Sequence, residues 1–108
     1  MYSTKTHLGY TMEIIKAKRM VRYYMKKNLT PKWKVKYFKD KSMYGQCVYD
    51  TKTIHLSLYF IRKCKRENVR DTILHEICHA LTEDDPGHGK DWQNLAKSMN
   101  IHPRMHPK

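Results

Sequence analysis

The stretch VRDTILHEICHAL, residues 69–81, constrains the fold more than any other part of the chain. Wound as a helix with Ile73 at zero, it brings Val69, Ile77 and Ala80 within about 40° of Ile73. Leu74, Cys78 and Leu81 form a second apolar stripe at roughly 80 to 140°. His75 and His79 fall at about 200° and 240°, and Glu76 at about 300°. A helix that is apolar over more than half its circumference belongs inside a core. Whatever surrounds it must also satisfy two imidazoles and a carboxylate, because buried polar groups without partners are costly.

A metal ion is one such partner. Neutral imidazoles four residues apart can bind the same Zn²⁺, while Glu76, farther round the helix, can reach a water on that metal. The metal would bring that water's pKa towards neutrality, and Glu76 would take its proton and pass it to a leaving amine. A third protein ligand is needed, with the fourth position open. His88 lies nine residues beyond His79, after a Pro-Gly turn, and flanking Gly87 and Gly89 permit a tight return of the backbone. Asp91 is a candidate partner for a ligating imidazole, and Trp92 and Leu95 would pack the following helix and hold the turn in place. A purely structural zinc site would favour four filled positions and cysteine ligands. Cys78 points away from the histidine window, and Cys47 and Cys64 read as packing residues. The pattern favours one catalytic Zn²⁺ per chain.

The rest of the chain supplies a small framework. Apolar residues Ile14, Ala17, Val21, Tyr24, Met25 and Leu29 recur at helical spacing from Thr11 to about Leu29, ahead of Pro31. Three short runs, WKVKYF, MYGQCVY and TIHLS, alternate as strands, and a small antiparallel sheet is the expected result. His55 alternates with Ile54 and Leu56 and is expected on a strand surface. LYFIRKCKREN reads as a short helical turn leading into a basic connection. Asn68 is the expected N-cap, with Asp71 in the first turn, of the helix that runs to about Leu81. TEDDPGHG breaks it, and a last helix begins near Lys90, burying Trp92, Leu95, Ala96 and Met99. The fold class is therefore α+β: an N-terminal helix, a three-stranded antiparallel sheet, the HExxH helix and a C-terminal helix in one domain over residues 1–108. Residues 1–9 and 101–108, the latter with His102, Met105 and His106, read as tails.

Charge divides the chain. The net charge is +12, and twelve Lys and Arg precede Ser42 against only Glu13 and Asp40. Between Asp71 and Asp91 six acidic residues oppose only Lys90. An excess of this size attracts polyanions, with nucleic acid the commonest. Lys16, Lys18, Arg19, Arg22, Lys26 and Lys27 on the first helix form the largest basic cluster, with Trp33, Tyr37 and Tyr44 nearby in sequence for base stacking. The competing reading of those three aromatics is sheet packing. No apolar run is long enough for a transmembrane helix, no export signal is evident, and three widely spaced cysteines fit a reduced, cytoplasmic protein. A monomer without membrane attachment is the expectation.

The spacing after HExxH separates the candidate families. The short metzincin form would place Gly at 82 and His at 85, where this chain has Thr82 and Asp85. The pattern HEICHAL…GHGKDW, with His75, Glu76, His79, His88-Gly89 and Trp92, resembles the SprT-like family, which includes bacterial SprT proteins and the protease domain of Spartan. The close match spans about Asp71 to Ser98. That resemblance implies a minimal zincin-like fold and a zinc-dependent endopeptidase with His75, His79 and His88 as ligands and Glu76 as general base. In Spartan-like members it further implies proteolysis of proteins crosslinked to DNA. No Cys follows Cys78, where a C-terminal zinc ribbon would supply cysteine pairs, so DNA recruitment would rest on basic residues of the domain or on another protein. Two other readings remain: a basic nucleic-acid-binding module with a structural or inactive zinc site, and a zinc hydrolase of a non-peptide substrate.

Overall fold

The computed structural model describes residues 4–84 and 87–101, with side chains described from Ile14 onward. Helix α1 (Thr4–Asn28) leads into β1 (Lys34–Phe38), β2 (Gly45–Val48), β3 (Thr53–Ser57), α2 (Leu58–Lys63), α3 (Arg66–Leu81) and α4 (Lys90–Ser98). The α+β class and the sequence of elements are as expected. Helix α1 begins at Thr4, seven residues ahead of the expected Thr11. Its inner face presents Ala17 and Val21 to the core, with Met20, Tyr24, Met25 and Leu29 packed at the margin.

The sheet departs from the expected antiparallel arrangement. Its order is β1-β3-β2, with β3 parallel to β1 and antiparallel to β2. Alternation along a strand fixes which side chains share a face but says nothing about which neighbour the strand takes. Burial explains the order. Along β3, Thr53, Ile54, Leu56 and Ser57 are all buried, as suits a strand flanked on both sides. β1 carries exposed Lys34 and Lys36, a composition that protects a sheet edge. A four-residue turn with Lys52 at φ 49° joins β2 to β3.

Helix α3 runs through the centre. Ile73, Leu74, Ile77 and Cys78 are buried against Ile54 and Leu56 of the sheet, Val21 of α1, and Trp92 and Ala96 of α4. It starts at Arg66 with Lys65 as N-cap, not at Asn68, and no side chain caps it. The Asn68 carbonyl instead accepts a hydrogen bond from Thr72 Oγ1 at 2.9 Å. Asp71 is consequently in the second turn and buried. Its Oδ1 receives Arg70 Nη1 at 3.0 Å, while Arg70 Nη2 reaches across to the Met99 carbonyl at 2.8 Å. Arg70 thus ties the start of α3 to the end of α4.

Ile101 is part of the core rather than of a tail. Asn100 adopts φ 62°, its N–H donates to the Lys97 carbonyl, and the Ile101 N–H donates to the Ala96 carbonyl, both at 3.0 Å. These two bonds form a Schellman ending that folds Ile101 back onto Ala96. Residues 102–108 lie outside the described residues. No described helix is long and apolar enough to cross a membrane.

Candidate metal centre

Three imidazoles converge at one end of α3. His79 Nε2 lies 3.3 Å and His88 Nε2 3.2 Å from His75 Nε2, and all three donor atoms fall within 4.8 Å of one another. A tetrahedral zinc ion bound by nitrogens at about 2.0–2.1 Å holds them roughly 3.3–3.4 Å apart. The observed separations match that requirement. His75, His79 and His88 therefore fit a metal ion, as the spacing of the motif suggests.

Local chemistry explains how His88 arrives. Gly87 takes φ 83°, a region open to glycine and strained for residues with a Cβ. Gly89 is extended, as any residue can be, and serves as N-cap of α4. The His88 carbonyl accepts Gln93 Nε2 at 2.8 Å, and the Gly89 carbonyl accepts the Gln93 N–H at 2.9 Å, which fasten the loop to the first turn of α4.

Trp92 does more than hold that helix in place. Its ring centroid lies 4.8 Å from His75, 5.5 Å from His79 and 4.5 Å from His88, so one buried indole backs all three imidazoles. Its Nε1 also points to the His75 carbonyl at 3.4 Å, a long contact. The aromatic residue was visible in the sequence; its contact with every histidine was not. Asp91 sits in the first turn of α4, on the exposed rim beside this cluster.

Glu76 faces the sheet. It is 6% exposed, and a Cβ added at Gly45 on β2 would come within 3.2 Å of its Cγ. The same Cβ would meet the His55 carbonyl at 3.0 Å and Leu56 Cδ2 at 3.1 Å. Glycine at 45 therefore lets the edge strand close over the carboxyl group. Burial pushes the Glu76 carboxyl up to about 8, since desolvation disfavours its charged form. Along the same face of β2, burial and then the Glu76 and Glu83 charges push the Cys47 thiol up to about 12. Burial and Glu76 do the same to Cys78, whose Sγ lies 3.7 Å from Met99 Sδ. Neither thiol ionises near neutrality, so both act as packing groups. At the turn after β2, Lys52 Nζ approaches Glu83 Oε1 at 3.8 Å, which draws the hairpin towards the end of the histidine helix.

Among the basic residues, Lys16, Arg19, Arg22, Lys26 and Lys27 are exposed, whereas Lys18 is half-buried with its Nζ 4.8 Å from the Tyr37 ring centroid. Trp33 and Tyr37 pack against the core, and burial raises the Tyr37 hydroxyl to about 12. Tyr44 lies 4.3 Å from Phe60. These aromatics follow the sheet-packing reading. His55 is half-buried in the central strand, its ring 5.9 Å from Phe38.

A sequence model of the SprT-like family matches residues 15–108. The chain belongs to the SprT-like family. Its fold is similar to the crystal structure of the metallopeptidase zymogen of Methanocaldococcus jannaschii, jannalysin, with a TM-score of 0.65 and 22% identity over 76% of this chain and 79% of that one. No curated protein matches it. Family membership and the three-histidine cluster make this SprT-like chain a zinc metallopeptidase, on a fold shared with jannalysin.

Proposed function

We propose that the SprT-like chain is a cytoplasmic endopeptidase that holds one zinc ion on His75, His79 and His88, uses Glu76 as general base, and acts on proteins bound or crosslinked to DNA. The observation that carries the peptidase reading is the meeting of three Nε2 atoms beside a buried carboxyl group. The ion supplies a Lewis acid that polarises the substrate carbonyl and makes water ionisable near neutral pH. Glu76 takes a proton from water and delivers it to the leaving amine. Trp92 shields the rear of the imidazoles and fixes their approach. β2 pairs only with β3 among the described residues, so its outer edge offers backbone N–H and C=O groups to an extended peptide. Three free thiols suit a reducing compartment.

The DNA element is supported by the net charge of +12 and by the family resemblance. It is tested by comparing cleavage of one basic protein free, mixed with single-stranded DNA, and crosslinked to an oligonucleotide. Faster Glu76-dependent cleavage of the crosslinked form supports the full reading. Equal rates on all three would keep the peptidase and remove the DNA link. Hydrolysis of small esters with none of the proteins would favour the non-peptide hydrolase.

A further inference from the structure

A concave feature among the described residues lies away from the histidines. It is an open groove of about 620 Å³ between the outer face of α1 and the first turns of α3, and Lys16, Arg19 and Tyr23 face Arg66, Glu67 and Arg70 across it. Four cations oppose one carboxylate. Arg70 is engaged with Asp71 and the Met99 carbonyl, so Lys16, Arg19 and Arg66 form the exposed charge of the walls. Tyr23 is 57% exposed, so its ring is open to a ligand in the groove. Its ring meets Tyr24 edge-on at 5.0 Å, and Lys27 Nζ stands 5.5 Å from its centroid.

We propose that this groove is the docking site for a single-stranded nucleic acid, with Lys16, Arg19, Arg66 and Lys27 on its phosphates and Tyr23 against a base. The proposal rests on the DNA element of the reading above and gives that partner a place.

Lys16, Arg19, Tyr23 and Lys27 follow one another along a single helix face. That line is about 16 Å long, room for on the order of four or five stacked nucleotides. Alternation of cation and aromatic ring is what an unpaired strand needs, because its bases are free to stack. A duplex keeps its bases inside and presents a convex backbone that cannot bring them to a ring in a groove.

The groove lies apart from the histidines. Arg66 and Arg70 precede His75 on α3 by about 14 and 7 Å along the helix axis. A strand held there would lie on the side of α3 turned away from the imidazoles. Glu83, Asp84 and Asp91 are exposed around the histidine end and repel phosphates from it over roughly one Debye length, about 8 Å.

The test is fluorescence anisotropy of a labelled 20-nucleotide dT strand over a salt series, using the full chain. Replacing Lys16 and Arg19 with Gln should weaken binding about tenfold or more and reduce the salt slope by roughly 1.4. The same loss of charge at Lys34 and Lys36 on β1 should do much less. Tyr23→Ala should weaken dT binding about tenfold while barely changing affinity for heparin, a polyanion without bases. A duplex of equal length should bind more weakly than the single strand. Equal losses from the two charge pairs, or indifference to Tyr23, would overturn the proposal in favour of diffuse attraction. Tighter binding to phosphatidylserine vesicles than to dT would overturn it in favour of a membrane. No binding to dT at all would remove the groove and the DNA element together. Cleavage of fluorescein-labelled casein by the groove variants separates these results from the peptidase reading, since their Glu76-dependent activity should be unchanged.

Discussion

The two ends of α3 are built for different tasks on one rigid rod. At its start, Arg66 and Glu67 are exposed and face a groove open to solvent. Nine residues on, His75 and Glu76 are 8% and 6% exposed, enclosed by β2, the His88 loop and Trp92. The difference shows where this small domain spends its core. Packing is concentrated around the histidines, where positions must be held to fractions of an ångström for a metal to bind. At the other end, charge acts over a longer range and needs no comparable precision. Substitutions of the buried residues at the histidine end should change metal content and stability, and those of the exposed groove residues Lys16, Arg19 and Arg66 should change neither.

The largest separation is expected from His79→Ala. Removing one of three imidazoles should abolish stoichiometric zinc in metal analysis and lower peptidase activity by about 10³-fold or more. Arg66→Ala, at the other end of the same helix, should leave both within about a factor of two. Trp92→Ala is next. Truncating a buried indole should cost about 3–5 kcal/mol in urea unfolding and loosen zinc binding as well. If zinc affinity were unchanged in a folded variant, the indole would be packing alone.

Gly45→Ala tests the closure over Glu76. With backbone and side-chain atoms 3.0 to 3.2 Å from the new Cβ, these neighbours must give by a few tenths of an ångström, and a loss of about 1–3 kcal/mol is expected. Activity should fall further than stability predicts, because Glu76 is among those neighbours. A smaller effect concerns pH. Glu76 ordinarily titrates near 4.5, and burial raises it to about 8. The folded metal-free chain therefore holds this proton more tightly than the unfolded chain, and this group's contribution falls as pH rises from about 4.5 to 8. Glu76→Gln should remove that decline, making the metal-free variant more stable than wild type at pH 8 by roughly 1–3 kcal/mol. Lys52→Ala should be nearly silent, below about 0.5 kcal/mol, because both partners of its ion pair with Glu83 are exposed.

The histidine end was legible in the sequence because its signals are local. Helical period places His75 and His79 side by side, and the Pro-Gly turn before His88 marks a return of the chain. The sequence also indicated that an aromatic residue follows. It did not indicate that Trp92 would touch all three imidazoles, which depends on how α4 packs. Strand positions were legible, but strand order was not: pairing β3 with β1 is a choice among partners separated in sequence, and alternation is silent about it. The expected cap at Asn68 followed a good local preference, yet the helix begins at Arg66 without any side-chain cap. Ile101 was hidden by the prolines after it, although Asn100 supplied the left-handed residue that ends α4. On the groove side, the basic residues were evident. Tyr23 was not, because Trp33, Tyr37 and Tyr44 offered the more conspicuous aromatics and only packing distinguishes a buried ring from an exposed one.

The most direct measurement is cleavage of fluorescein-labelled casein by wild type and Glu76→Gln, each loaded with zinc and analysed for metal in the same preparation. The expected result is about one zinc per chain in both, with cleavage reduced by at least about 10²–10³-fold in the variant. Undiminished cleavage by a zinc-replete Glu76→Gln protein would contradict the role given to Glu76, and an inert wild type with zinc bound would contradict the catalytic assignment itself.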